Sequence, residues 1–161
     1  MSGGVVRPYQ PSDFTAVCRI YADAKRVELK FERGVPNFTP LEKDDVILAA
    51  FMESDVVVYE GDDVVGFAAS YAGQLRALFV HGAARGRGVG QALLNAVLAD
   101  AESGVSLHVA KSNAGAIAFY AKNGFVIVDE AVRHYGGVEI AYAKMFRARG
   151  RAKAPDPGYT M

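Results

Sequence analysis

The segment Arg85-Gly86-Arg87-Gly88-Val89-Gly90 places three glycines and two arginines in six residues. Glycine lets a backbone turn tightly and come close to a ligand. Leu78-Phe79-Val80 ahead of it reads as the end of a strand. Val89, Leu93, Val97 and Leu98 behind it form the apolar stripe of a helix. The free amides of a helix's first turn, with the helix dipole behind them, attract a phosphate or pyrophosphate. Arg85 and Arg87 can add charge-assisted bonds. The competing reading is a plain glycine-rich turn with two solvated arginines. Two other phosphate loops are excluded. There is no Gly-x-x-x-x-Gly-Lys-Ser/Thr, and counting on from Gly88-Val89-Gly90 reaches Leu93 where a dinucleotide fingerprint needs glycine.

The remaining reactive side chains are sparse. His81, His108 and His134 are dispersed and Cys18 is the single cysteine. No metal-ligand spacing appears, so no metal is expected, and no disulfide can form within the chain. Cys18 lies in an apparent amphipathic helix and reads as a small core residue rather than a nucleophile. His81 reads as a solvated loop residue. His108 differs: strand alternation puts Val105, Leu107 and Val109 on one face and Ser106, His108 and Ala110 on the other. An imidazole with a reference pKa of about 6.5 is largely neutral near neutral pH and can accept a proton. It can equally fill a covered face with a satisfied ring.

The chain has 161 residues, 51% hydrophobic and 22% charged, which fits one globular domain with a real core. Lys plus Arg, 18, equals Asp plus Glu, 18, so there is no basic surplus to point to nucleic acid. No stretch approaches the roughly 18 apolar residues of a membrane span, and the N-terminus lacks a signal peptide's apolar stretch. A cytoplasmic protein with no membrane partner is expected.

The elements that must position these residues follow from patterning. Val5-Val6 starts a strand that stops at Pro8. Ser12 caps a helix running to about Arg26, and residues 27–38 form a loop. Thr39-Pro40-Leu41-Glu42 reads as a capping box opening a helix that ends near Glu53. Strands are expected at 55–60, 64–71 and 75–80, the first two joined at Gly61-Asp62-Asp63. A helix at 88–101, a strand at 105–110 and a helix at 113–123 stopped by Gly124 come next. Strands at 125–130 and 138–145 form a last hairpin around Tyr135-Gly136-Gly137. Mid-chain hairpins beside β-α-β units imply a mixed α/β architecture with helices on both faces of the sheet. No repeat or interior linker is visible. Residues 3–146 are treated as one domain, and 147–161 as a mobile basic tail.

Arg85-x-x-Gly88-x-Gly90 after that strand resembles the acyl-CoA signature of the GCN5-related N-acetyltransferase family. A second match, Asn113-x-x-Ala116-x-x-Phe119-Tyr120-x-x-x-Gly124-Phe125, is similar to the family's next helix and strand. Val6-Arg7-Pro8-Tyr9 resembles a common family opening. The likeness covers nearly the whole chain to residue 146 and is strongest with small bacterial members. His81-Gly82 departs from it, standing where the family often has proline. The resemblance implies a central mixed, mostly antiparallel sheet of about seven strands with about four helices on both faces. It implies that the strands at 75–80 and 105–110 splay around the pantetheine arm of acetyl-CoA. Leu78, Phe79 and Val80 would line that arm. Arg85, Gly86, Arg87, Gly88, Val89, Gly90 and Gln91 would hold the pyrophosphate, and Asn113, Ala116, Phe119 and Tyr120 would flank the cofactor.

The implied activity is direct acetyl transfer from acetyl-CoA to an amine, on a small molecule or a peptide. Such attack needs a base for the amine and an acid for the leaving thiolate. The family's acid is often the tyrosine of the Phe-Tyr pair, here Tyr120. Its base is in some relatives a glutamate at the position that His108 occupies. Water relays to Glu28 or Glu32, or a backbone carbonyl, are alternatives. Glu28, Phe31, Glu32 and Phe38 fall where relatives shape the acceptor pocket, and His134 and Tyr135 fall at its edge. Many relatives pair, so a homodimer is possible. Rival readings are a non-catalytic acyl-CoA sensor, or transfer with another acyl donor or to a hydroxyl.

Overall fold

A computed structural model describes residues 3–28, 30 and 38–149, with Tyr135 described through its backbone alone. Seven strands form one sheet in the order β1-β2-β3-β4-β5-β7-β6. They are β1 (Val5–Pro8), β2 (Asp55–Glu60), β3 (Val64–Tyr71), β4 (Gln74–Val80), β5 (Val105–Ala110), β6 (Val126–Tyr135) and β7 (Val138–Arg147). Every neighbouring pair is antiparallel except β4 and β5, which run parallel. The α-helices are α1 (Phe14–Glu28), α2 (Asp45–Glu53), α3 (Val89–Asp100) and α4 (Ala114–Lys122). Leu93, Leu94 and Val97 of α3 and Tyr120 of α4 pack with Leu107, Val109 and Met145 in one cluster. Val17, Ile20 and Tyr21 of α1 and Phe51 of α2 pack with Val58 and Phe67 in another. The sheet is thus buried on both faces, as the hairpin-plus-crossover pattern requires.

Three local expectations are corrected. Ser12 does not cap α1. Pro11–Asp13 is a single 3-10 turn entered from Gln10, whose amide donates to the Asp13 carboxylate at 2.8 Å. Thr39-Pro40 opens no α-helix either. Leu41–Lys43 forms another 3-10 turn, and α2 starts after Asp44, whose side chain accepts from the Ile47 amide at 3.1 Å. Asp44 competes for the cap and wins because its carboxylate reaches the third amide beyond it. The last hairpin is also longer than its apolar pattern indicates. β6 continues to Tyr135, and Gly136 and Gly137, at φ 58° and 81°, make the two-residue turn that such a ribbon needs. The chain from 131 to 135 therefore belongs to the ribbon. β7 takes in Arg147, and residues 150–161 of the expected tail lie outside the described residues.

One irregularity shapes the centre of the sheet. Ala69 pairs with Ala77 and Ser70 with Leu75, so Arg76 is an extra residue in β4. A bulge bends and twists its strand. β4 and β5 register only at Gln74 and Ser106, and part beyond that point. Arg76 fixes the bend: it donates to the Ala50 carbonyl at 3.0 Å and the Ser54 hydroxyl at 3.2 Å, and meets Glu53 at 2.8 Å. These bonds also close the C-terminal carbonyls of α2. Arg76→Ala is expected to lower stability by about 1 kcal/mol, the group being partly exposed. A thermal melt should then shift down by roughly 2–4 °C.

Candidate active site

Gly86 and Gly88 have φ of 79° and 82°, in the left-handed region where other residues are strained. A Cβ at either would touch nothing within 4 Å, so conformation and not space demands glycine there. Gly88 is the N-cap of α3, and its carbonyl accepts the first helical bond from Ala92 at 3.0 Å. The amides of Val89, Gly90 and Gln91 precede that bond and form the helix's open first turn. They edge a cavity of about 580 Å³ that reaches Val80, Phe119 and Lys122. At Gly90 a Cβ would lie 3.7 Å from Val80 Cγ2 and 4.0 Å from Phe119 Cζ, inside that cavity. The residues present thus suit an anion: dipole, amides and room coincide.

The arginines divide. Arg85 folds back, donating to the Val80 carbonyl at 3.1 Å and lying 3.6 Å from Asp23. Asp23 in turn accepts from the Gly82 amide at 2.7 Å, and His81 Nδ1 accepts from Ala83 at 3.2 Å. His81 is therefore a turn residue with a bonded ring, which closes the end of β4. Arg87 is exposed and does not line the cavity, whereas Lys122 does. Gln91 exchanges bonds with Asn123 at 2.7 and 3.3 Å, tying α3 to α4.

Where β4 and β5 part, a second cavity of about 350 Å³ opens, bounded by Glu28, Ala77, Phe79, His108, Asn113 and Tyr120. The two cavities share Leu78, Arg85, Ala116 and Tyr120. Tyr120 therefore stands at their junction. Its position follows from α4: Asn113 caps the helix by accepting from Ala116 at 3.1 Å, and Gly124, at φ 92°, ends it. The ring packs edge-on against Phe119 and Phe125, with centroids 5.3 and 5.5 Å away. Only 8% exposed, the phenol is pushed well above its ordinary range by burial and secondarily by the Glu28 charge. It keeps its proton.

His108 bounds the cavity from β5, on the face that alternation assigns to it. Arg133 Nη2 lies 3.4 Å from its Nε2, a contact sequence reasoning missed because only the β5-β7-β6 register creates it. Burial, then the charges of Arg133 and Lys144, hold this imidazole below 6.5. It is a neutral group at neutral pH. Glu28 ends α1 and pairs with Lys25 at 2.9 Å. Phe38 lies against Tyr21, 6.0 Å between centroids, and does not line the cavity. His134 stands exposed opposite Glu139, 3.8 Å away, also outside the lining. Phe31 and Glu32 lie outside the described residues, as does the Tyr135 side chain. Cys18 packs beside the α1–α2 cluster, its thiol pushed up to about 11 by burial and Glu42. It is not a nucleophile at neutral pH. No group of three metal-ligating side chains occurs among the described residues, and no helix there is long and apolar enough to cross a membrane.

Comparison with known proteins gives this geometry a context. Residues 14–125 match the model of the acetyltransferase (GNAT) family. The fold is similar to a GCN5-related N-acetyltransferase of Rhodopseudomonas palustris, with a TM-score of 0.73 and 21% identity over 92% of this chain and 97% of that one. It is similar to a ribosomal-protein-alanine N-acetyltransferase of Brucella melitensis, at 0.68 and 22% over 89% and 99%. A phosphinothricin acetyltransferase of Sinorhizobium meliloti, solved in complex with acetyl-CoA, scores 0.69 at 20% identity over 97% and 94%. No curated protein matches.

Proposed function

Because this chain belongs to the acetyltransferase (GNAT) family, we propose that it transfers acetyl from acetyl-CoA directly to the nitrogen of an amine. The observation that carries the reading is the junction: an amide-rich anion cradle and the slot between β4 and β5 meet at one protonated tyrosine. Acetyl-CoA supplies the acyl group as a thioester. The bend at Gly86–Gly88 and the amides of Val89, Gly90 and Gln91 bind its diphosphate, with Arg85 completing the wall and Lys122 contributing charge. Leu78, Phe79 and Val80 bind the arm, and Asn113, Ala116 and Phe119 hold its other side. His108 takes the proton that the amine loses, and Tyr120 gives its own to the sulfur as the carbon–sulfur bond breaks.

The base predicts a pH profile. Neutral His108 is the active form and its pKa is lowered, so kcat/KM should fall on acidification with a midpoint below 6.5. His108→Gln should abolish that limb. A second reading rests on Arg133: by donating to Nε2 it engages that lone pair, leaving a water relay to Glu28 to carry the proton. A limb that survives His108→Gln and disappears in Glu28→Gln would select the relay.

The acceptor is an amine of a small molecule or peptide, tested by free CoA release across an amine panel with product masses recorded. Binding of acetyl-CoA without turnover of any amine would replace catalysis by a sensing role. Acylation of a hydroxyl, or preference for a longer acyl donor, would reassign the reaction on the same site.

A further inference from the structure

The charged groups that line the slot between β4 and β5 are matched within the chain. Glu28 meets Lys25 at 2.9 Å, Arg76 meets Glu53 at 2.8 Å, and Arg85 lies 3.6 Å from Asp23. Two cations behind His108 are not matched. Arg133 places its Nη2 3.4 Å from His108 Nε2 and, among the described residues, has no ion-pair partner. Lys144 registers directly with His108, is half-buried, and has no ion-pair partner there either. The carboxylate across from Lys144 is Asp129, and its Oδ1 turns to its own strand to accept from the Glu130 amide at 2.8 Å. Glu130 itself is taken by Lys111 at 2.9 Å.

Residues across a ladder share a face, and Arg133 stands four positions from Asp129. His108, Lys144, Asp129 and Arg133 are therefore on one face of the sheet, with more positive than negative charge. This placement works against a proton acceptor, because both cations disfavour a charged imidazole. An anion brought by the substrate would offset that cost at the moment the ring is asked to take a proton. The ring also holds an open position. His108 Nδ1 is buried with no hydrogen-bond partner among the described residues, and buried polar atoms are normally satisfied. A ligand bonded there brings its next few atoms within reach of the guanidinium that touches the same ring. Arginine matches a carboxylate with two parallel bonds.

We propose that the acceptor is an amine bearing a carboxylate a few bonds from its nitrogen, with Arg133 as the residue that selects it and Lys144 in support. The inference rests on the amine-acetylation reading and adds no chemical step to it. The carboxylate can belong to a free amino acid or to an acidic side chain at the N-terminus of a peptide. Both present the same group to the same arginine.

Acetyl-CoA turnover by the full chain, measured on matched pairs of amines, tests this. One arm pairs free amino acids with their α-carboxamides. The other pairs C-terminally amidated dipeptides beginning with aspartate or glutamate with those beginning with asparagine or glutamine. The arm that shows the preference identifies the source of the carboxylate. In that arm kcat/KM should favour the carboxylate at least about tenfold, the scale of a hydrogen bond to a charged group. Arg133→Gln should remove at least about tenfold from the carboxylate substrate, mainly through KM, and change its carboxamide by less than about threefold. Arg133→Glu should reverse the order of the pair. A residue acting only by way of His108 would change both members equally, and that result overturns the role of Arg133. Circular dichroism checks that the variants are folded, and if they are not, the wild-type preference decides. Turnover of amines in both arms without preference for a carboxylate overturns this inference alone. Turnover of no amine overturns the transferase reading, and this inference with it.

Discussion

Tyr120→Phe is expected to lower kcat about a hundredfold while changing CoA affinity by less than roughly threefold, since positioned acid catalysis is worth about 10²–10⁴. The substitution is clean because the ring's role is already accounted for. Phenylalanine keeps the edge contacts to Phe119 and Phe125 and removes one oxygen from a site that is 8% exposed. Burial raises the phenol above its ordinary range, which guarantees the proton but weakens the acid. The transfer stays feasible because a thiolate forming beside the buried ring is raised by desolvation as well. The alkaline side of the wild-type profile should therefore show no loss of activity from Tyr120 near pH 10. Steady-state kinetics with CoA titration checks both parts. An unchanged kcat would remove Tyr120 from the chemistry and leave its ring as packing. An equal loss in kcat and in CoA binding would mean that the hydroxyl holds the cofactor instead.

Much of the frame around this site could be read from local pattern, because local chemistry sets it. β2, β3 and β5 begin and end where their apolar runs meet turn residues, at Asp55–Glu60, Val64–Tyr71 and Val105–Ala110. Gly88 and Asn113 announce the starts of α3 and α4, since a left-handed cap and a side-chain cap are properties of single residues. What stayed hidden depends on partners distant in the chain. Leu75-Arg76-Ala77 has no irregular pattern, and only pairing with Ala69 and Ser70 makes Arg76 a bulge. Arg85 looks free until Val80 and Asp23 fold against it. The Arg133–His108 contact needs two strand registers to exist at all. Thr39 and Asp44 both carry plausible capping side chains, and the tertiary path of the chain selects the second.

Gly88→Val is expected to weaken CoA binding at least about tenfold while leaving kcat at saturation less affected. The argument is conformational. At φ 82° an L side chain costs roughly 1–2 kcal/mol, more when branched at Cβ, although nothing lies within 4 Å to clash with it. The chain escapes that cost by rotating the peptide, which turns the Val89 and Gly90 amides away from the cavity they edge. Strain retained appears as lost stability, and strain relieved as lost affinity. Gly90→Ala separates the two: Gly90 is not in the left-handed region, and its Cβ would sit at ordinary contact distances from Val80 and Phe119. It should weaken CoA by occupying ligand space without lowering the melting temperature. Isothermal titration with CoA, paired with thermal melts of both variants, distinguishes the mechanisms. Undiminished CoA affinity in both would mean that the bend is not the diphosphate site. The acyl-transfer reading would then lose the contact that lays the thioester beside Tyr120.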